Sequence, residues 1–292
     1  MVRKIQMFFR RFSFIWKSLP LISAVILLLT AILYLEGFIG KNKVGRNLIE
    51  IVKSSVVLSA VGNISILTTL MVFIFQERSA RSRENWRDVH SVPPGGISYL
   101  RNRALMDLAC SGEDMSGLNA EAVDLSGVNL REAKLRGSNF QKAILWKANL
   151  QNADLRDAIF VEAELEFANF QDANLSAANF QNAKLDGINL SRARLCLVDL
   201  SQASLKSADL KKADLENAKF VNTNLSQTDF EKANLRDAIF DGAKFGNTHL
   251  SYANLRGAKG LTESQLAGAK LCYTVLPDGT TNCRDCKELG VL

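Results

Sequence analysis

Large and small apolar residues recur at a fixed period of five from Val123 to Ala258. Every fifth residue from Leu125 to Leu255 is Leu or Phe, without exception. Two residues before each of these stands a small residue, as in Ala153, Ala158, Ala163, Ala168 and Ala173. The departures are Ser138, Thr223, Thr228, Thr248, Val128, Val198 and Ile188. The three positions between are mostly polar. A period of five matches neither a helix at 3.6 nor a flat strand at 2. An Ala- and Leu-rich amphipathic helix is a poor alternative, because a stripe at every fifth residue spirals around a helix and leaves no buried face. The pattern instead predicts a chain that turns a corner every five residues, with the large and small residues inward and three residues facing water.

The same rows give the number of fives per coil. Phe140, Phe160, Phe180, Leu200, Phe220 and Phe240 are spaced by twenty, and the series from Leu135 to Leu255 is entirely Leu. Phe concentrates on one of four series, so four fives make one coil and like residues stack on like along a narrow interior. The segments ADLRD, ANLQN, ADLKK, ADLEN and ANLRD resemble the pentapeptide-repeat family over roughly half the chain. The resemblance implies an all-β repeat solenoid, a right-handed quadrilateral β-helix. At about 4.8 Å between coils, twenty-seven fives give a rod roughly 32 Å long.

The flanks differ in kind. Met1 to Lys17 interleaves Arg3, Lys4, Arg10, Arg11 and Lys17 with Phe8, Phe9, Phe12, Phe14 and Trp16, a mixture suited to a bilayer headgroup zone. Leu19 to Leu35 is uncharged, and the apolar run resumes past Glu36. Ser54 to Phe75 is a second uncharged run, softened by Gly62 and Asn63. About 20 apolar residues span a bilayer, so the two runs predict a transmembrane hairpin. A cleaved signal peptide and a buried soluble hairpin are the competing readings; no small-x-small site follows the first run. The basic residues of the two flanks, set against Lys41, Lys43, Arg46 and Lys53 in the loop, favour both hairpin ends in the cytoplasm.

A charged stalk follows Phe75, and Ser91-Val-Pro-Pro-Gly-Gly96 reads as a hinge. Ile97, Leu100, Ala104, Leu105 and Leu108 have helical spacing and predict a capping helix over 97–109, because the terminal coil of a β-helix exposes unpaired backbone. Met115, Leu118 and Ala120 read as an irregular first coil, since Leu118 and Ala120 invert the small-then-large order. At the far end, Thr262 with Gln265 has capping-box spacing, Ala269 and Leu271 resume the pattern once, and Leu276-Pro-Asp-Gly279 is a turn. The L-T-x-x-Q-L and L-P-D-G endings, and the region before the rod, are similar to those of membrane-tethered pentapeptide-repeat proteins abundant in cyanobacteria. That resemblance implies a plasma or thylakoid membrane.

Charge narrows the partners. Residues 1–90 carry 13 Lys and Arg against 5 Asp and Glu, whereas residues 118–260 carry 18 of each. The pI of about 9.1 therefore belongs to the N-terminal region, and the neutral rod suits no nucleic acid. Some members of the family mimic DNA with an acidic rod; this rod lacks that charge.

Catalytic chemistry is sparse. There are 2 histidines. His90 lies in the stalk, and His249 lies in an outward column with Asn129, Asn149, Asn169, Asn189, Asp209 and Asp229. No His triad, zinc set, P-loop or dinucleotide fingerprint is present, so no catalytic, cofactor or metal residue is assigned and the chain is not read as an enzyme. Cys272, Cys283 and Cys286 form an incomplete metal set. They read as free thiols, with a disulfide or a metal or redox site as alternatives, and no disulfide framework is apparent.

The chain thus divides into a membrane anchor with a helical stalk (1–90, spans at about 19–39 and 54–75), a hinge and capping helix (91–117), a β-helix with a short cap helix (118–276) and a tail (277–292). It reads as a membrane-anchored scaffold or interaction module, bound to lipid through 1–75 and displaying its rod to a protein partner or to a second copy in a homo-oligomer. The alternative is an accessory subunit of a channel or transporter, with the hairpin packed on the partner's helices. Outward apolar residues mark the contact: Ile144, Trp146, Ile159, Val161 and Phe167 are expected to form one patch on the early coils, with Phe167 close above Trp146 and Lys147. Packing of this patch beneath residues 76–109 of the same chain is the competing expectation.

Overall fold

The computed structural model describes residues 64–91 and 99–290. Two compact units divide the chain, Met1–Gln76 and Glu77–Leu292. The first span (19–39), the loop after it, and the hinge from 92 onward lie outside the described residues, as does the second span up to residue 63. The rest of that second span begins helix α1, Ile64–Ser91. Among the described residues no helix is long and apolar enough to cross a membrane.

Within the second unit, helix α2 runs Tyr99–Cys110 and buries Arg101, Ala104, Leu105, Leu108 and Ala109. Leu100, counted on the inner face from its spacing, is instead 60% exposed. The helix rotates Arg101 inward in its place. Gly112, at φ 69°, ends α2. Its N–H bonds the Ala109 carbonyl, and the Glu113 N–H bonds that of Leu108, a Schellman pair that only a left-handed residue closes cheaply. The chain passes from this cap straight into the rod.

The rod is a four-sided β-helix. Parallel bridges link residue i to i+20 from Asp114↔Lys134 onward, and every inward Leu, Phe and small residue of the repeat is buried. The first coil is regular, which corrects the irregular reading. Met115, Leu118 and Ala120 occupy the ordinary inward positions and are 0%, 6% and 3% exposed; only the sizes of Leu118 and Ala120 are exchanged. With that coil included, residues 111–260 make a rod about 36 Å long at 4.8 Å per coil.

The five N–H groups of one repeat show why its residues are what they are. Take Arg131 to Leu135. The Arg131 N–H bonds the Asn129 side-chain oxygen at 3.3 Å. The Glu132 N–H bonds Gln151 O of the next coil, the Ala133 N–H closes a turn on Leu130 O, and the Leu135 N–H bonds Asp154 O. The N–H one position before the large residue points to the preceding coil, as Asn149 does to Val128 O. The ladder and turn thus give most backbone donors of the repeat a partner, as a narrow solenoid demands. Where Asn or Asp stands before the Leu or Phe, as at Asn129, Asn139 and Asn179, it is a structural acceptor for the corner and only secondarily a surface residue. The second corner residue sits at positive φ all along the rod, even where it is Leu197, Phe167 or Tyr252. This is the third position of a type II turn.

The threonine hydroxyls inside the rod are bonded as well. The Thr223, Thr228, Thr248 and Thr274 hydroxyls stand at small inward positions and donate to the carbonyls of Leu200, Leu205, Leu225 and Leu250 at 2.7–2.8 Å.

At the far end, helix α3 (Glu263–Ala267) has the expected capping box between Thr262 and Gln265. The Gln265 amide also donates to the carbonyls of Phe240 and Ala243, at 3.3 and 2.7 Å. Beyond α3 the pairing slips by one residue, to His249↔Lys270 and Asn254↔Val275. Strand β1 (Thr274–Val275) then pairs antiparallel with β2 (Thr281–Asn282).

This hairpin decides the cysteines. It folds the tail back beside the last coil, and Cys272 bonds Cys286 in a disulfide. The free-thiol reading is thereby overturned for these two and holds for Cys283. Cys283-x-x-Cys286 is not the bonded pair, because the hairpin register sets the partner and local spacing does not. Asp285 reinforces the closure. Its carboxylate accepts the Leu271 N–H at 2.7 Å, and it lies below the usual carboxylate range chiefly because the Arg284 side chain donates to it, with the Leu271 N–H adding. A depressed carboxylate stabilises the fold above its unfolded value near 3.9 and loses that contribution as pH falls towards the folded value. The protection factor of the Leu271 amide is expected to be flat above about pH 5 and to fall below about pH 4. Hydrogen exchange across that range checks it, and a protection factor that does not change with pH would exclude Asp285 as the clasp.

Candidate interaction surface

Each outward position on the rod belongs to a column set by the twenty-residue period. Ile144 lies on the face whose bridges run Asp124↔Ile144↔Glu164, and Ile159 lies on the preceding face, between Asn139 and Asn179. Trp146 and Phe167 occupy the two turn positions at the corner after Leu145 and Leu165. Val161 is at the corner between the two faces. Ile144 is 36% exposed, Trp146 45%, Ile159 39% and Phe167 59%; Val161 is half-buried. The described part of 76–109 therefore leaves four of the five open.

Phe167 and Trp146 take different positions of the corner, second and first respectively. Phe167 has φ 60°, and its ring leans onto Gly187 of the following coil, where an added Cβ would lie 2.7 Å from ring atoms. Glycine at 187 leaves room for that ring, since other residues take the same positive φ elsewhere on the rod. Trp146 is covered from its own corner by Lys147, whose Nζ is 4.1 Å from the indole centroid. Charged pairs cross between coils beside these residues: Lys142 with Glu162 at 3.8 Å and Lys184 with Glu164 at 2.6 Å. All are exposed, so each contributes little to stability. What results is an apolar strip broken by paired charges.

Other outward apolar residues are scattered. Leu197 is 63% exposed. Beside it, the Cys196 thiol donates to Asp214 at 3.1 Å, and burial, then Asp214, pushes its pKa up to about 11. Such a thiol is unreactive at neutral pH. Tyr252 and Tyr273 stack at 5.4 Å near the far end, with Lys232 over Tyr252.

One side-chain chain has the order of a hydrolase triad. Ser251 Oγ is 2.9 Å from His249 Nε2, and His249 Nδ1 is 3.3 Å from Asp229 Oδ1. Ser251 is only 3% exposed, so no substrate reaches it. The same corner three coils earlier shows its meaning, with Ser191 bonded to Asn189 at 2.7 Å. His249 takes the place of that Asn in the ladder. Among the described residues no group of His, Cys, Asp or Glu is placed to hold a metal ion.

The sequence matches the model of the pentapeptide repeat region over residues 119–190 and 193–271, and that of pentapeptide repeats in eight copies over 173–211. Among solved structures it is similar to HetL, a pentapeptide repeat protein involved in heterocyst differentiation regulation from the cyanobacterium Nostoc sp. strain PCC 7120. The identity is 28%, over 59% of this chain and 90% of that one, with a TM-score of 0.45. QnrB1, a plasmid-mediated fluoroquinolone resistance protein, is 17% identical over 53% of this chain and 78% of its own, with a TM-score of 0.49. Rfr23, a pentapeptide repeat protein from the cyanobacterium Cyanothece 51142, is 36% identical over 31% of this chain and 58% of its own, with a TM-score of 0.26. No curated protein matches.

Proposed function

The chain belongs to the pentapeptide-repeat family, and from that premise we propose that it is a membrane-anchored, non-catalytic scaffold that displays its near-neutral rod to a protein partner. The observation that carries this is the grouping of exposed Ile144, Trp146, Ile159 and Phe167 on the early coils, whereas the other outward apolar residues are scattered. Exposed aromatic residues held on a rigid backbone pay little entropy on binding and act as anchors. The docked protein is a separate partner or a second copy, with Trp146 as the anchor.

Residues 1–75 are the lipid anchor in this reading. Its support is the uncharged run to Phe75 and, in the described part of that run, the exposed Met71, Val72, Phe73 and Phe75 of α1. We place the protein in a plasma or thylakoid membrane with the rod on the cytoplasmic side, on the count of basic residues in the flanks. Reporter fusions after Ser91 test the side. A periplasmic or lumenal signal overturns it, and the Cys272–Cys286 bridge gives that outcome a physical basis, because disulfides persist in oxidising compartments.

Replacing Trp146 and Phe167 together with Ser is expected to abolish co-purification of the partner, or dissociate the dimer, with the melting temperature unchanged. Light scattering and calorimetry of the detergent-solubilised protein check both. Unchanged association with a lower melting temperature would mean that the two rings serve only the fold. Deleting residues 1–75 separates the accessory-subunit alternative: there the partner is lost with the hairpin, and in the scaffold reading it stays with the rod.

A further inference from the structure

The rod's far end carries chemistry that the docking strip does not use. Cys272 and Cys286 are bonded to each other and are both fully buried. Cys283 is free and exposed. The Cys286 N–H bonds the Cys283 carbonyl at 3.4 Å, so one turn holds both residues, and the ends of a turn, under about 7 Å apart, are near enough for the ~4.4–6.8 Å Cα separation of a disulfide. A buried disulfide is closed to an external protein thiol, since exchange needs access to a sulfur. Cys283 lies on the accessible side of the same turn.

We propose that Cys272, Cys283 and Cys286 form a thiol–disulfide exchange site whose substrate is a protein dithiol. In the first step the Cys283 thiolate attacks Cys286 Sγ. The Cys283–Cys286 bond forms, the Cys272–Cys286 bond breaks, and the electron pair leaves on Cys272. Cys283 gave its proton to solvent and Cys272 takes one up, so nothing is oxidised or reduced overall. In the second step the exposed Cys283 sulfur is attacked by the external dithiol. The mixed disulfide is resolved by that protein's second thiol. The dithiol leaves as a disulfide, and Cys283 and Cys286 remain as thiols; two electrons pass from one to the other.

The exchange removes the covalent tie between the tail and the last coil. What remains is noncovalent: the Asp285 N–H to Leu271 O at 2.9 Å, the Asp285 carboxylate on the Leu271 N–H, and the Arg284 guanidinium on the carbonyls of Leu266 and Ala269. The capped far end of the rod thereby becomes responsive to thiol redox state. The inference is independent of the docking strip.

The test uses the full chain in detergent, with glutathione at mildly alkaline pH, acid quenching and alkylation. Trypsin cuts at Arg284, and an Asp-specific protease cuts before Asp278, so Cys272, Cys283 and Cys286 fall on separate peptides for mass spectrometry. The expected result is both connectivities, Cys272–Cys286 and Cys283–Cys286, with alkylated Cys272 accompanying the second. Cys283→Ser should show the first alone and should slow reduction by a thioredoxin-class dithiol by about tenfold or more. A single Cys272–Cys286 connectivity throughout, with the same reduction rate in Cys283→Ser, would overturn the proposal. So would the absence of any Cys272–Cys286 bond in the protein purified in air. Because Cys283 is exposed, its Ser variant keeps the fold, and circular dichroism verifies this.

Discussion

Phe180→Ala is expected to cost about 3–5 kcal/mol of stability. The Phe180 ring is fully buried and lies parallel on Phe160, with centroids 4.6 Å apart and planes within 4°. Removing it leaves a cavity in a core one side chain wide, where coils tied together by continuous hydrogen bonds cannot collapse inward. It also removes an aromatic stack worth about 0.5–1.5 kcal/mol beyond its area. Gln181, one residue on, points outward and donates to Asp199 at 2.9 Å. Gln181→Ala should change stability by less than about 1 kcal/mol. Denaturant unfolding followed by circular dichroism compares the two, and equal losses would refute the inward and outward assignment.

The cap gives the second large effect. Leu108 is fully buried in the same core cluster as Met115 and Leu118, so Leu108→Ala should cost about 2–5 kcal/mol. Its neighbour in the helical pattern, Leu100, is exposed, and Leu100→Ala should stay within about 0.5 kcal/mol. The location of the loss is as telling as its size. A solenoid's stability is a sum of coil and interface contributions, so exchange at the Met115 amide should rise while that at Leu175 changes little. Uniform loss along the rod would show that the cap controls the whole unit cooperatively.

The rod's register was legible because burial is periodic and admits few solutions. Two inward positions in five, with Phe recurring at twenty, leave only a four-sided coil. What burial does not encode was not legible. The Asn or Asp before many of the Leu residues reads as surface polarity until the corner N–H is seen on its side chain. The left-handed corners at Phe167, Leu197 and Tyr252 contradict residue preference, and the ladder imposes them. Leu100 fitted a helical spacing, yet the packed face of α2 is turned towards Arg101. Among candidate sites, the exposure of Trp146 and Phe167 followed from their phase, but the tilt of Phe167 onto Gly187 depends on a backbone angle that no spacing reveals. The cysteine pairing needed a hairpin register.

The one-residue slip after α3 matters for what the rod cannot become. A ladder that kept its twenty-residue phase to the last residue would present a ready template, and a second rod could stack on it end to end without limit. Here the phase is lost between Lys259 and Lys270, the carbonyls of Phe240 and Ala243 are already taken by Gln265, and the tail is bonded across the final coil. Exposed sheet edges are where chains join into fibres. The far end is therefore a chain terminator: it sets the length of the particle and restricts growth to contacts made sideways, through the faces.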